Sequence, residues 1–197
     1  EPLLLGDWVG RDAPDFVLPN GGGFEYGHFH LDAGSRQHLI ETLPEITDAK
    51  TRGIAWVTLW DAVLEREVAV GDWYALLLRG AVEEEDEQSL QRVLGYLGST
   101  FWGYLSEDER AAQATSTEEI LWGQVERATV MTRQSSHFNA WRNVVSTPTG
   151  LARLHRIWEQ VDSVGGMKFS VEDYTSMATT LAILGEGDAE EILDRQF

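Results

Sequence analysis

The spacing of apolar residues changes once along this chain, at Asp32, and no other feature restricts the fold as much. Beyond Asp32, apolar side chains recur three and four positions apart, a spacing that gathers them on one face of an α-helix. Ser35 caps a helix carrying Leu39, Ile40 and Leu43, which Pro44 closes. Asp48 caps a longer one, whose wide stripe holds Ile54, Val57, Leu59, Trp60, Val63 and Leu64. Gly71-Asp72 opens a third helix with Trp73, Leu76, Leu77 and Leu78, and the polar run Glu83 to Glu87 ends it. Leu90, Val93, Leu94, Leu97 and Phe101 mark a fourth. Leu121, Val125, Ala128 and Met131 follow at helical spacing, then Phe138, Trp141 and Val145. Thr147-Pro148 reads as an N-cap followed by a first-turn proline, where the missing N–H costs nothing, and introduces Leu151, Leu154, Ile157 and Trp158. Gly165-Gly166 breaks the chain. Ser170 with Asp173 forms a capping box for a helix with Met177, Leu181 and Leu184. Gly185 to Gly187 ends that helix, and a last short one starts near Asp188. Short helices joined by short polar loops predict a mainly α fold: an irregular array of antiparallel helix pairs, a HEAT-like or ARM-like superhelix without a strict repeat.

Residues 1–32 follow another rule. They hold Pro2, Pro14, Pro19 and the run Gly21-Gly22-Gly23. Phe16-Val17-Leu18 is a short apolar run. Phe24, Tyr26, His28 and His30 alternate with Glu25, Gly27, Phe29 and Leu31. Asn20 to Gly23 can turn with positive φ between the two runs, which predicts a β-hairpin. The expected division is therefore a strand-and-loop segment over 1–32 and a helical domain over 33–197.

Composition excludes several classes. Eight Trp, seven Phe and five Tyr, with 43% hydrophobic residues, are enough for a packed core and argue against wholesale disorder. No stretch approaches the roughly 20 consecutive apolar residues of a membrane helix, so no membrane insertion is expected. Cysteine is absent, which rules out disulfides and thiolate metal sites. A net charge of -18 repels nucleic acid. These features describe an acidic, soluble protein of the cytoplasm or periplasm.

Leu18-Pro19-Asn20 through Tyr26-Gly27-His28-Phe29-His30-Leu31-Asp32 resembles a junction in aminopeptidase N-type zinc metallopeptidases, the gluzincin aminopeptidases. There the final strand of a small β-sandwich domain runs into a helical C-terminal domain. Ile54-Ala55-Trp56 and Leu59-Trp60-Asp61-Ala62-Val63 are similar to the helix that follows in that family, and Glu83 to Leu90 to its acidic turn. The likeness spans residues 12 to about 105 and rests on the order of these motifs. His28 and His30 replace more usual basic residues, and Arg52-Gly53 stands where Arg-Ala is more usual.

The resemblance implies a non-catalytic domain of a zinc aminopeptidase, cut at both ends, that caps the active-site chamber and helps bind the peptide. The family's zinc helix reads His-Glu-x-x-His, two imidazoles on one helix face beside a water-activating carboxylate. No His-Glu dipeptide occurs here, nor does the family's Gly-x-Met-Glu-Asn motif, so no catalytic residue and no metal ligand is assigned to this chain. Zinc is expected in the parent enzyme, whose catalytic domain and peptide substrate are the expected partners. The alternative is a stand-alone helical scaffold that binds a partner protein.

Three constellations stand on the residues themselves. His28 and His30 share a face of an extended segment and could hold a metal with a third ligand, or pack against protein; the sequence supplies no third ligand. His38 and Glu41 lie one helical turn apart, a ligand spacing that more commonly makes a surface pair. Between Arg127 and Trp158 there is no Asp or Glu, while Arg127, Arg133, Arg142, Arg153 and Arg156 give the window a charge of +5, leaving -23 on the rest of a chain whose net is -18. Such an island either pairs with the acidic helices around it or forms a cationic wall; the resemblance implies that such a wall attracts a peptide's C-terminal carboxylate, a task suited to the permanently charged fork of arginine. Arg133, His137 and Arg142 are the substrate-binding candidates, because they surround Phe138 and Trp141.

Overall fold

A computed structural model describes residues 10, 12, 14–23, 27–185 and 189–196. The chain divides into two compact units, Glu1–Val68 and Ala69–Phe197.

The first unit holds α1 (Ala33–Thr42), a 3-10 turn (Leu43–Glu45) and α2 (Ala49–Leu64). Its core is Leu31, Leu39, Leu43, Ala55, Trp56, Leu59, Ala62 and Val63. Asp32, not Ser35, caps α1: its carboxylate accepts from the Ser35 N–H at 3.0 Å, which fills one of the orphan donors of the first turn. Asp48 caps α2 as expected, accepting from Thr51 N at 2.7 Å.

The expected hairpin is a correction. The turn forms, with Gly21 N donating to Leu18 O at 3.1 Å and Gly23 N to Asn20 O at 2.9 Å. No strand occurs among the described residues on either side, and Phe24, Glu25 and Tyr26 lie outside them. The backbone and side chains that a ladder needs are bonded to helices instead. Val17 N donates to Ser35 Oγ at 2.9 Å, and Asn20 Nδ2 to Thr58 Oγ1 at 3.1 Å. Gly23, at φ 74°, passes so close to α2 that a Cβ would lie 2.8 Å from Lys50 Cε.

The second unit holds α3 (Val70–Glu83), α4 (Glu87–Gly103), α5 (Glu107–Arg127), α6 (Met131–Val144), α7 (Pro148–Trp158), α8 (Val171–Leu184) and α9 (Ala189–Gln196). Helices adjacent in sequence pack together as α3 on α4, α5 on α6, α7 on α8 and α8 on α9. A second set of contacts joins α3 to α5, α4 to α6 and α6 to α8. Trp73, Leu76, Leu77, Leu90, Leu97, Phe101, Leu121, Phe138, Trp141, Leu154 and Leu181 fill the space between them.

Local chemistry sets the ends. Ser106 and Glu109 form a reciprocal capping box at α5, and Ser170 with Asp173 forms the expected one at α8. Thr147 caps α7 ahead of Pro148, its hydroxyl oxygen accepting from Gly150 N at 3.0 Å. Gly185 ends α8 in the left-handed conformation, φ 74°. One boundary differs from expectation: α5 stops at Arg127, with Ala128 as its C-cap, so Met131 begins the next helix rather than continuing the row of Leu121 and Val125.

Candidate functional site

The five arginines of the acid-free window have different surroundings. Arg133, at the start of α6, donates to the carbonyls of Glu84 and Glu85, the latter at 3.3 Å. It therefore holds the turn between α3 and α4. His137 is 1% exposed, and both its ring nitrogens face carbonyl oxygens at 2.9 Å: Nδ1 that of Arg133 and Nε2 that of Ala81. No face of the ring is offered to a ligand. Arg156 makes a two-pronged pair with Asp162, Nε and Nη2 each 2.8 Å from a carboxylate oxygen, which holds the Asp162 carboxyl below its ordinary range.

Arg142 differs from these. Its Nη1 lies 3.7 Å from Asp173 Oδ1 and 3.5 Å from the Asp173 carbonyl, at the N-terminus of α8. Burial lowers its affinity for the proton from the ordinary value, and Asp173 opposes that shift. It lines a cavity of about 430 Å³ with Gln91, Ser136, Asn139, Asn143, Ser176 and Thr180. Amides and hydroxyls form its polar part, and Leu94, Gly95 and Ala140 its apolar part. Such a cavity offers donors and acceptors around a single guanidinium, the chemistry of a carboxylate-bearing ligand.

Of the three substrate-binding candidates read from the sequence, then, Arg142 borders a cavity, while Arg133 and His137 are bonded to backbone carbonyls. Phe138 and Trp141 are core residues at 0% and 1% exposure, with ring centroids 5.8 Å apart.

A second cavity, about 510 Å³, lies among α5, α6 and α7. Trp122 and Trp141 meet edge to face on one side, centroids 4.9 Å apart. Glu118, 6% exposed, lies at its back and accepts from Ser146 N and Thr147 N, each at 2.8 Å, and from the Thr147 hydroxyl at 2.7 Å. A carboxylate is thus built into the positive end of α7. Gly150 permits it: a Cβ there would meet Val145 Cγ2 at 2.5 Å and overlap the Glu118 carboxylate. Arg153 stacks on Trp122, its guanidinium carbon 4.2 Å from the ring centroid. The sequence contains the signal for this site, since Trp122 falls beside the apolar row of Leu121 and Val125 and Arg153 belongs to the basic window, but their meeting depends on how α5 and α7 pack.

The histidine pair gathers no third metal ligand among the described residues. His28 and His30 contact edge to face at 4.4 Å, and His30 Nδ1 is 3.2 Å from Glu67 Oε1. No group of three His, Asp or Glu that could hold a metal ion gathers among the described residues, so the donor set lacks what a zinc site requires. His38 is stacked on Phe16, ring centroids 5.3 Å apart, and Glu41 accepts from Gln37. Among the described residues no helix is long and apolar enough to cross a membrane.

No protein-family model matches the chain. Among known proteins it is similar to an aminopeptidase N of Streptomyces lividans, with 27% identity over 188 residues. That alignment takes in 93% of this chain and 22% of the relative, so the chain spans about a fifth of the length of the peptidase it resembles.

Proposed function

We propose that this chain is a non-catalytic helical domain of a zinc aminopeptidase, one that caps the chamber of the catalytic domain and helps bind the peptide. The similarity to an aminopeptidase N over 93% of the chain carries this reading. The parent would remove N-terminal residues, with zinc and its ligands supplied by the catalytic domain and this domain as that domain's partner. A HEAT-like stacking of helix pairs, a form that presents a long surface to a bound chain, is part of the same proposal.

Arg142 is the proposed peptide contact. Amides and hydroxyls share its cavity, and at 3.7 Å its pairing with Asp173 is longer than a close charge-assisted bond. In the whole enzyme, Arg142→Ala should weaken a free-acid peptide by roughly ten- to a hundredfold, the value of one charge-assisted hydrogen bond of about 1.5–3 kcal/mol. The C-terminally amidated peptide should be weakened far less, and a short chromogenic substrate should be cut as before. An equal effect on acid and amide would leave Arg142 a structural role only.

A further inference from the structure

We propose that the cavity among α5, α6 and α7 binds a free α-amino acid with an apolar or aromatic side chain, its carboxylate on Arg153 and its ammonium at Glu119. Two charges of the lining lack partners among the described residues. Among the described residues Arg153 makes no hydrogen bond and no ion pair; it is stacked on Trp122 at 4.2 Å and acts on Asp162 only through space. Stacking fixes the plane of a guanidinium while leaving the N–H fork along its edge unused, which is the arrangement that takes a carboxylate through two parallel bonds.

Three carboxylates share the cavity with it, and they are not equivalent. Glu118 is taken up by two backbone N–H groups and a hydroxyl. Glu126 Oε1 accepts the Trp122 indole N–H at 2.6 Å. Glu119, exposed on the rim, carries no hydrogen bond or ion pair among the described residues. One cation and one anion therefore face the same space without meeting each other. A purely anionic ligand would meet Arg153 but be repelled by Glu118, Glu119 and Glu126; a purely cationic one would meet Glu119 but be repelled by Arg153. A zwitterion satisfies both.

The remaining lining selects the side chain. Trp122 and Pro148 give one apolar side, and about 510 Å³ falls within the roughly 300–1,000 Å³ range of small-molecule sites. Gly123 and Gly150 add no side chain to narrow the space. The proposal does not depend on the peptidase reading, since it needs only this chain's own cavity.

The test is a titration of this chain with L-phenylalanine, followed by the indole N–H resonance of Trp122 in ¹⁵N–¹H spectra and assigned with Trp122→Phe. A saturable shift of that resonance is expected. L-phenylalaninamide, which lacks the carboxylate, and N-acetyl-L-phenylalanine, which lacks the ammonium, should each bind about tenfold more weakly or worse. Arg153→Gln should abolish the preference for the acid over the amide, and Arg153→Lys should keep part of it. The proposal is overturned by the absence of a saturable shift, by equal binding of acid and amide, or by unchanged binding in Arg153→Gln. Circular dichroism checks that the variants are folded; were one not, the acid–amide comparison on the unaltered chain decides alone.

Discussion

Tyr74 shows how one buried hydroxyl ties the second unit to pH. Its Oη lies 2.8 Å from Thr117 Oγ1, and the residue is 2% exposed. Burial pushes its pKa up to about 12, against the opposing pull of the Thr117 hydrogen bond. The unfolded chain loses this proton near the ordinary value of 10, and the folded chain only near 12. Between those values the folded state binds more protons, so raising the pH draws the equilibrium toward the unfolded chain. Stability from this group is complete below about pH 10 and is lost as pH rises to about 12. Urea midpoints measured across that window should fall with pH, and Tyr74→Phe should fall less steeply over the same interval. Parallel slopes for the two proteins would remove Tyr74 as the cause.

The same scale explains what of the candidate site was legible. The acid-free window from Arg127 to Trp158 is visible in the sequence, and so is the identity of its arginines. Which of them remain open to a ligand is not. Arg133 is bonded to Glu84 and Glu85, nearly fifty positions away, and Arg142 meets Asp173 on another helix. A formal charge counts such residues alike, whereas their usefulness to a ligand depends on partners set by packing.

At the level of elements, the ends of helices were readable wherever the governing chemistry is local. Thr147-Pro148, Ser170 with Asp173, and Gly185 each satisfy or terminate backbone groups within four residues. The boundary between α5 and α6 was not readable from apolar spacing, because Ala128 and Met131 keep the rhythm of Leu121 and Val125 across a break that contains neither glycine nor proline. Nor does that spacing mark the solvent-facing first turns of α5, although Ser106 and Glu109 do. The hairpin reading failed for the complementary reason. Its turn is local and forms, but strand pairing is not local, and Val17 and Asn20 found partners on α1 and α2.

Glu118 is the residue through which α5 holds α7. Replacing it with alanine removes the acceptor of two half-buried backbone N–H groups and a hydroxyl at once. Hydrogen bonds to a charged group are worth about 1.5–3 kcal/mol, and donors left without partners add their desolvation cost, so Glu118→Ala should destabilise the second unit by about 2–4 kcal/mol. Chemical denaturation measures this, and a loss under about 0.5 kcal/mol, the range of ordinary surface substitutions, would contradict it.

Over the whole molecule, the central claim is a division of labour: this chain contributes a surface for peptides and leaves the cleavage of the peptide bond to the rest of a longer enzyme. Similarity to an aminopeptidase N over 22% of that protein's length is what this proposal rests on, and Arg142 is the peptide contact it proposes. The measurement that bears on it most directly uses the 197-residue chain alone with a free-acid peptide, zinc supplied, and follows binding and released amino acid in the same sample. Saturable binding with no release of the N-terminal residue is the predicted result. Zinc-dependent release that persists on further purification, or no binding at any peptide concentration, would contradict the account.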